Sequence, residues 1–219
     1  IYGYALHRAL YKWDSANNKP VLELAKSVTT SADGLTHTFK LRDDALFHNG
    51  RKMTADDIIW SYTRLMDGSK NYPGAGQIRR IKGATDVQSG AAKEISGLKK
   101  IDDFTLEITL IEKAEPGFLF RNATTSILPA KEAQAPDFFN KPIGLGPFKF
   151  VEHVPGSRMA FERWEKYYQA GKPYADKLVI SPMGEAAARD VAFRNKEIDV
   201  SILGSTQYVA YKADPNLSK

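Results

Sequence analysis

The side chains best suited to metal binding in this sequence are four histidines: His7, His37, His48 and His153. They form no H-E-x-x-H motif, and no pair of them has the spacing of metal ligands. The chain contains no cysteine, which excludes thiolate metal sites and a cysteine nucleophile. We therefore expect no metal site, with His37 in a strand and His48 in a turn.

Three pairs of adjacent aspartates are the main candidates for acid–base chemistry. Asp43-Asp44 precedes a predicted turn, and Asp102-Asp103 opens a predicted strand. Asp56-Asp57 lies at a predicted helix start, where the helix dipole favours negative charge. Each pair thus has a structural explanation. Spacing alone does not exclude two carboxylates acting on a glycosidic bond, so a carboxylate-dependent hydrolase stays open as an alternative.

Motifs for nucleophilic catalysis and for nucleotide binding are missing from the sequence. There is no G-x-S-x-G and no G-x-x-x-x-G-K-[ST]. Gly144-Leu145-Gly146 begins like G-x-G-x-x-G, but the sixth position is Lys149 and the segment leads into a predicted hairpin rather than a helix. We therefore expect no catalytic residues and no cofactor, and a protein that is not an enzyme.

Composition is that of an ordinary globular protein. The chain has 219 residues, of which 42% are hydrophobic and 26% charged, enough for a real core. Its net charge of +5 is spread along the sequence, and the densest basic cluster, 79–82, is short. This distribution favours a solvated surface over a nucleic-acid patch. No apolar run approaches the roughly 20 residues that span a bilayer, so we expect no membrane span.

Periodicity predicts a mixture of strands and helices without a regular βαβ repeat, which indicates the mixed α/β (α+β) class. Residues 20–26 are expected to be irregular, and 67–94 to be a long loop with one short helix. Strands are predicted at 35–42, 104–110, 148–152, 159–163, 174–181 and 198–202. Helices are predicted at 4–13, 54–66, 185–195 and 206–213.

Residues 31–63 contain the most specific pattern of the chain. The segment 35–42 alternates, with Leu35, His37, Phe39 and Leu41 on one face. A turn at 48–50 follows. Thr54 with an acidic residue three positions later then forms a capping box, which predicts the start of a helix.

This order of motifs resembles bacterial extracellular solute-binding proteins of the peptide/nickel type, family 5, near the oligopeptide-binding branch. The family pattern is T-F-x-L-R, then F-H-x-G, then T-A-x-D-V. It corresponds here to 38–42 (TFKLR), 47–50 (FHNG) and 54–58 (TADDI).

Further matches follow in the order of the family. They are 24–27 (LAKS), 81–84 (IKGA), 90–94 (GAAKE), 101–106 (IDDFTL), 142–148 (PIGLGPF), 162–163 (ER), 167–168 (YY) and 197–200 (EIDV). Leu145 departs from the family pattern, because threonine is usual at this position. These matches extend over nearly the whole chain.

The resemblance implies a lobe of the periplasmic binding protein type II fold. We expect the chain to hold most of the first lobe and to lack the second. Residues 1–165 would form the outer, strand-rich part of the first lobe with its long loop. Residues 166–219 would begin the central α/β part.

The resemblance also implies the substrate-binding component of an ABC importer. Such a protein captures di- or oligopeptides in the periplasm and delivers them to a membrane permease. A nickel chelate, haem, an opine or an oligosaccharide stays open as the ligand instead. The implied partners are thus a small-molecule ligand and the permease.

Seven residues are expected to contact the ligand on the basis of this resemblance. A segment that lines the cleft in relatives corresponds to 121–126, and aromatic residues near the ligand correspond to positions in the first helix and in the long loop. The expected ligand-binding residues are Tyr4, Tyr72, Arg121, Asn122, Thr124, Thr125 and Ser126.

Overall fold

Strand pairing within three separate groups organises the chain. The structure is a computed structural model that describes residues 2–214. The strands of this range are β1 (Tyr11–Asp14), β2 (Lys19–Leu22), β3 (Ala25–Thr30), β4 (Thr36–Leu41), β5 (Leu98–Asp102), β6 (Thr105–Thr109), β7 (Phe148–Val154), β8 (Arg158–Arg163) and β9 (Lys177–Ile180). They form a β1–β2 hairpin, a sheet in the order β3-β4-β6-β5, and a sheet in the order β7-β8-β9.

Short helices connect and cover these strands. They are α1 (Tyr2–Leu6), α2 (Ala55–Leu65), α3 (Ala75–Ile78), α4 (Ala84–Ser89), α5 (Pro116–Leu119), α6 (Ala186–Arg194) and α7 (Ser205–Ala213). Two 3₁₀ turns occur at Ala123–Thr125 and Glu132–Gln134. The mixed α/β class predicted from the sequence is confirmed.

The described chain divides into two compact units. The first runs to His153 and includes Ala160–Val179, and the second consists of Val154–Met159 and the residues from Ile180 onward. These units concern packing within this chain. The expected division between 165 and 166, which separates the outer part of the first lobe from its central α/β part, stays a prediction.

The core of the first unit lies on one face of the four-stranded sheet. His37, Phe39 and Leu41 of β4 are buried, as the alternation predicted. Phe39 lies opposite Leu106 of β6. The apolar face of α2 belongs to the same buried cluster, through residues that include Ile58 and Tyr62. Burial of one strand face and one helix face therefore fixes the register of this sheet.

The second unit contains α6 and α7. The rings of Phe193 and Tyr211 lie 6.2 Å apart, and the hydroxyl of Tyr211 donates to Asp190. The predicted helices at 185–195 and 206–213 are confirmed. No strand forms at 198–202, so that prediction is wrong. Val200 and Ile202 are exposed there and have no neighbouring strand among the described residues with which to pair.

Two predictions for the start of the chain are also wrong. The helix predicted at 4–13 ends at Leu6, and Tyr11–Asp14 is a strand paired with Lys19–Leu22. The segment predicted to be irregular forms β2 and the start of β3. The physical reason is tertiary packing, because Tyr11 is buried edge-on against the ring of Phe39, at 6.1 Å between centroids. The other predicted strands and helices are confirmed, with small differences at their ends.

Asp57 fixes the start of α2 and the chain that passes beside it. Its carboxylate accepts hydrogen bonds from Thr54 N at 2.9 Å, which is the reverse arm of the expected capping box, and from Ala130 N at 2.8 Å. The Arg51 guanidinium donates to both of its oxygens, at 2.8 and 3.0 Å. The buried charge is therefore fully compensated.

His48 fixes the glycine-containing turn at 143–147, and the same turn contacts the end of α1. Its Nδ1 accepts from Gly144 N at 3.1 Å, and its Nε2 donates to the carbonyl of Gly146 at 3.0 Å. Gly146 N donates to the carbonyl of Leu6 at 2.8 Å. A Cβ on Gly146 would lie 2.1 Å from the carbonyl oxygen of Ala5, so only glycine permits this approach.

We expect Asp57→Ala to lower the free energy of unfolding by about 3 kcal/mol, because it leaves two backbone N–H groups without their acceptor and leaves Arg51 with Glu132 as its one carboxylate partner. Asp56→Ala is the matched control, since Asp56 is exposed and pairs with Lys100 on the surface. It should cost under about 1 kcal/mol. Urea denaturation measures both values, and equal losses would contradict this role for Asp57.

We expect stability to fall as the pH drops from about 6.5 towards 4. Burial lowers the pKa of His48 to about 4, and Gly146 and Lys149 contribute smaller, opposing effects. The unfolded chain therefore binds a proton in this window that the folded chain excludes, at a cost of roughly 1 kcal/mol per pH unit. Burial also lowers the pKa of His7 to about 4, so His7 contributes to the same slope. His48→Gln should therefore reduce the slope by about half in urea denaturation, whereas the exposed control His153→Gln should not change it. An unchanged slope in His48→Gln would refute this assignment.

Candidate functional site

A cavity of about 310 Å³ lies beside α1 and the β1–β2 hairpin. Tyr11 and Trp13 are two positions apart in β1, so they point to the same side of the hairpin. Tyr4 of α1 and Tyr167 complete an aromatic wall. Aromatic walls with a few charged groups are typical of sites for small ligands.

Glu23 forms the floor of this cavity, and only 2% of its side chain is exposed. Its Oε2 accepts from Lys12 Nζ at 2.6 Å. The donors to its Oε1 are Arg8 Nε at 3.2 Å, Tyr167 OH at 3.2 Å, Tyr168 OH at 2.5 Å and Gln169 Nε2 at 3.0 Å. Oε1 is thus saturated by four donors, while Oε2 accepts from Lys12 alone. We call these six residues the Glu23 cluster.

The ionised state of Glu23 is stabilised by its partners. Burial alone would raise its pKa, but the hydrogen bonds from Lys12 and Tyr168 outweigh burial and lower it. Burial raises the pKa of Tyr168, and the negative charge of Glu23 raises it further. The cluster thus joins the β1–β2 hairpin to 167–169 through a charged hydrogen-bond network.

The segment 121–126 lies next to the same helix. A Cβ placed on Gly3 of α1 would be 3.2 Å from the Cβ of Ala123. A Cβ on Gly74 would be 2.4 Å from the carbonyl oxygen of Thr124. Three of the segments expected to contact a ligand, namely α1, the 72–74 loop and 121–126, therefore lie side by side in the first unit.

The side chains expected from this segment differ in accessibility. Thr124 is exposed, whereas Asn122 and Ser126 are half-buried. Thr125 is fully buried, and its Oγ1 donates to the carbonyl of Asn122 at 3.0 Å, which gives it a structural function in the 3₁₀ turn. Thr124 is thus the most accessible of these four side chains.

The two expected aromatic residues have different surroundings. Half of Tyr4 is exposed, and its carbonyl accepts from the Arg8 guanidinium. Tyr72 is half-buried against the core, and the Arg64 guanidinium lies 4.1 Å from its ring centroid. Tyr4 therefore lines the cavity with a half-exposed side chain, while Tyr72 has structural contacts of its own.

Arg121 lies over two rings at the edge of this region. Its guanidinium carbon is 4.7 Å from the ring centroid of Trp13 and 5.8 Å from that of Phe118. Because Trp13 also lines the cavity, Arg121 adjoins the aromatic wall.

Sequence reasoning did not identify the Glu23 cluster or Trp13. The pair 167–168 was visible as a family match, but no local signal connects it to Glu23, whose tyrosine partners lie about 145 positions away. The sequence pattern of β1 held a weak signal for Trp13, since Tyr11 and Trp13 alternate with charged residues.

A comparison with known protein families identifies the family of this chain. The model of bacterial extracellular solute-binding proteins, family 5, matches residues 19–219. The chain belongs to this family. The expected family membership is therefore confirmed.

Two curated binding proteins are similar to this chain over most of its length. Di/tripeptide-binding protein 1 of Pseudomonas aeruginosa is 27% identical over 95% of this chain and 41% of its own length. Heme-binding protein A of Haemophilus influenzae is 28% identical over 94% of this chain and 40% of its own length. The chain thus spans about two fifths of the length of these curated relatives.

A solved structure shows the same fold. The substrate-binding domain of an oligopeptide ABC transporter from Bacillus anthracis superposes with a TM-score of 0.86 at 27% identity. The match covers 98% of this chain and 42% of that one. The described part of this family 5 chain therefore has the fold of one portion of a periplasmic binding protein, as expected.

Two findings concern other classes of site. Within residues 2–214, no three histidine, aspartate or glutamate side chains come close enough together to hold a metal ion. None of the helices described for this range is both long and apolar enough to span a bilayer.

We expect Glu23→Gln to lower the free energy of unfolding by about 2 to 4 kcal/mol. The new amide would place its own N–H groups next to the N–H and O–H donors of the cluster, and the charges of Arg8 and Lys12 would lose their carboxylate partner. Glu165→Gln is the matched control, with a carboxylate that is 80% exposed. It should cost under about 0.5 kcal/mol. Thermal and urea unfolding measure both variants, and a neutral Glu23→Gln would refute the structural importance of the cluster.

Proposed function

We propose that the protein containing this chain is the substrate-binding component of an ABC importer that captures peptides. It would bind them in the periplasm and deliver them to a membrane permease. The observation that carries this proposal is the family membership combined with the open aromatic cavity next to 121–126. The names of the similar proteins from Pseudomonas aeruginosa and Bacillus anthracis support peptides as the ligand class.

The geometry of the first unit supports a binding surface without a reaction centre. Glu23, the buried carboxylate at the cavity, is held ionised by Arg8, Lys12 and its tyrosine partners, with a lowered pKa, which makes it a poor general acid or base. The accessible groups of the cavity are aromatic rings and cations, and the segment 121–126 adds the hydroxyl of Thr124; such groups bind and orient a ligand. We therefore propose that the protein does not catalyse a reaction.

The ligand surface in this chain would comprise Tyr4, Thr124 and Arg121 as direct contacts. Asn122 and Ser126 would contribute from the same segment, and Tyr72 from the neighbouring loop. Thr125 would act indirectly, because its buried hydroxyl maintains the turn that presents Thr124. The remaining contacts would come from parts of the protein outside this chain.

One alternative within the receptor class follows from a relative that is named a heme-binding protein. Haem would use the aromatic wall of the cavity for stacking and a cation for its propionates. A nickel chelate, an opine or an oligosaccharide also stays possible as the ligand. The alternative of another class is a carboxylate-dependent hydrolase.

Binding and turnover assays on the natural full-length protein separate these functions. We expect trialanine to bind saturably in calorimetry and to be recovered unchanged by mass spectrometry. Haemin and cellobiose serve as competing ligands in the same assay. Steady release of alanine or glucose would overturn the receptor assignment, and binding of haemin or cellobiose alone would overturn the peptide assignment.

Within this assay, Tyr4→Ala should weaken trialanine binding roughly tenfold, because an aromatic ring at a binding surface contributes about 1 to 2 kcal/mol. Tyr174→Ala is the matched control, since Tyr174 is 86% exposed and is not among the residues that line the cavity. Its affinity should equal that of the wild type. Equal affinities for both variants would remove Tyr4 from the ligand site.

A further inference from the structure

Arg121 is held in place by aromatic rings. Its guanidinium lies over both Trp13 and Phe118, whose own ring centroids are 6.1 Å apart at 54°. Stacking on two rings restricts a long side chain that would otherwise lose much conformational entropy on binding a ligand. The cation is therefore preorganised.

Arg121 has no hydrogen-bond acceptor among the described residues, although it has five N–H donors. Its Nε is shielded from solvent and unpartnered. Arg64, which lies over Tyr72 and Phe139, likewise has no ion pair among the described residues, but neither of its rings lines the cavity. Two other stacked arginines do have a carboxylate partner. Arg42 lies over Tyr168 and pairs with Asp44, and Arg51 lies over Phe47 and pairs with Asp57. Those arginines are internally compensated, whereas Arg121 is oriented by rings and lacks an anion.

The surroundings of Trp13 favour a negative group. Arg8 and Lys12 line the same cavity as Trp13, and Glu23 is the acidic residue among its lining side chains. That one negative charge already accepts from both cations. Arg121 adjoins the cavity through Trp13 and adds a third positive charge, and Glu115, whose charge acts on the lining residue Tyr11, adds a second negative one. Three cations and two carboxylates leave an excess of one positive charge for an anionic ligand.

We propose that Arg121, supported by Trp13 and Phe118, binds a carboxylate of the ligand. This inference rests on the proposed function as a peptide receptor and specifies which ligand group the described part of the site recognises. A planar guanidinium matches a planar carboxylate through two parallel hydrogen bonds. The carboxylate has two possible sources, the C-terminus of a peptide and an acidic side chain.

Four peptides and three variants test this proposal in the natural full-length protein. The peptides are trialanine, trialanine amide, Ala-Glu-Ala amide and Ala-Gln-Ala amide. The variants are Arg121→Met, Arg121→Lys and the control Arg80→Met, which removes a surface arginine paired with Glu112. Calorimetry gives the affinity of each pair, and thermal unfolding checks that each variant is folded.

We expect Arg121→Met to weaken the binding of one carboxylate peptide roughly 10- to 100-fold, the range of a charge-assisted hydrogen bond. The corresponding amide should be insensitive to the substitution, since it lacks the group that Arg121 binds. If Arg121→Met weakens the binding of trialanine but not of its amide, the carboxylate is the peptide C-terminus. If it weakens the binding of Ala-Glu-Ala amide but not of Ala-Gln-Ala amide, the carboxylate is the acidic side chain. Arg121→Lys should recover only part of the affinity, and Arg80→Met should match the wild type.

The outcomes separate this proposal from the proposed function. If wild-type protein binds the peptides and Arg121→Met lowers acid and amide affinities equally or not at all, the carboxylate assignment is overturned and the receptor function stands. If wild-type protein binds none of the four peptides, the peptide function fails and the assignment fails with it.

Discussion

The structure depends on one constraint, which is that the irregular backbone from Phe120 to Ala130 must find hydrogen-bond partners as it crosses the core. On one side, β1 and the end of α1 supply them, since Tyr11 N donates to the carbonyl of Phe120 and Ile127 N donates to that of Arg8. On the other side α2 does so, through Ser61, which accepts from Leu128 N, and through Asp57. Because a buried unpaired N–H or C=O costs as much as a lost hydrogen bond, this segment has little freedom to move. It therefore presents Arg121 and Thr124 from a fixed position.

The buried or stacked charges of the first unit are of two kinds, those paired within the protein and those that are not. Asp57 and the Glu23 cluster are internally paired, because each buried carboxylate accepts from cations and neutral donors of the protein itself. They maintain the relative positions of α2, the β1–β2 hairpin and 167–169. Arg121 is open, because the rings that orient it neutralise no charge. A site that binds an anion needs both conditions, a rigid support and an uncompensated cation.

Local patterns made part of this fold predictable. The alternation at 35–42 identified the buried face of β4, and Thr54 with Asp57 located the start of α2. The failures have a common cause. The spacing of Leu6, Ala9 and Leu10 fits a helix, but these residues are buried where a helix ends and a hairpin begins. Tertiary contacts outweigh the helix preference of so short a segment. Glu23 was not predictable, since its function arises from tyrosines distant in sequence. Arg121 was found through the family resemblance, and its lack of an acceptor is visible only in three dimensions.

The most direct test of the account is a crystal structure of the natural full-length protein with the ligand that it retains through purification without denaturation. The account predicts that the ligand lies against Tyr4 and Thr124, with an anionic group within hydrogen-bond distance of the Arg121 guanidinium. A ligand bound away from 121–126, with Arg121 paired to a carboxylate of the protein itself, would contradict it.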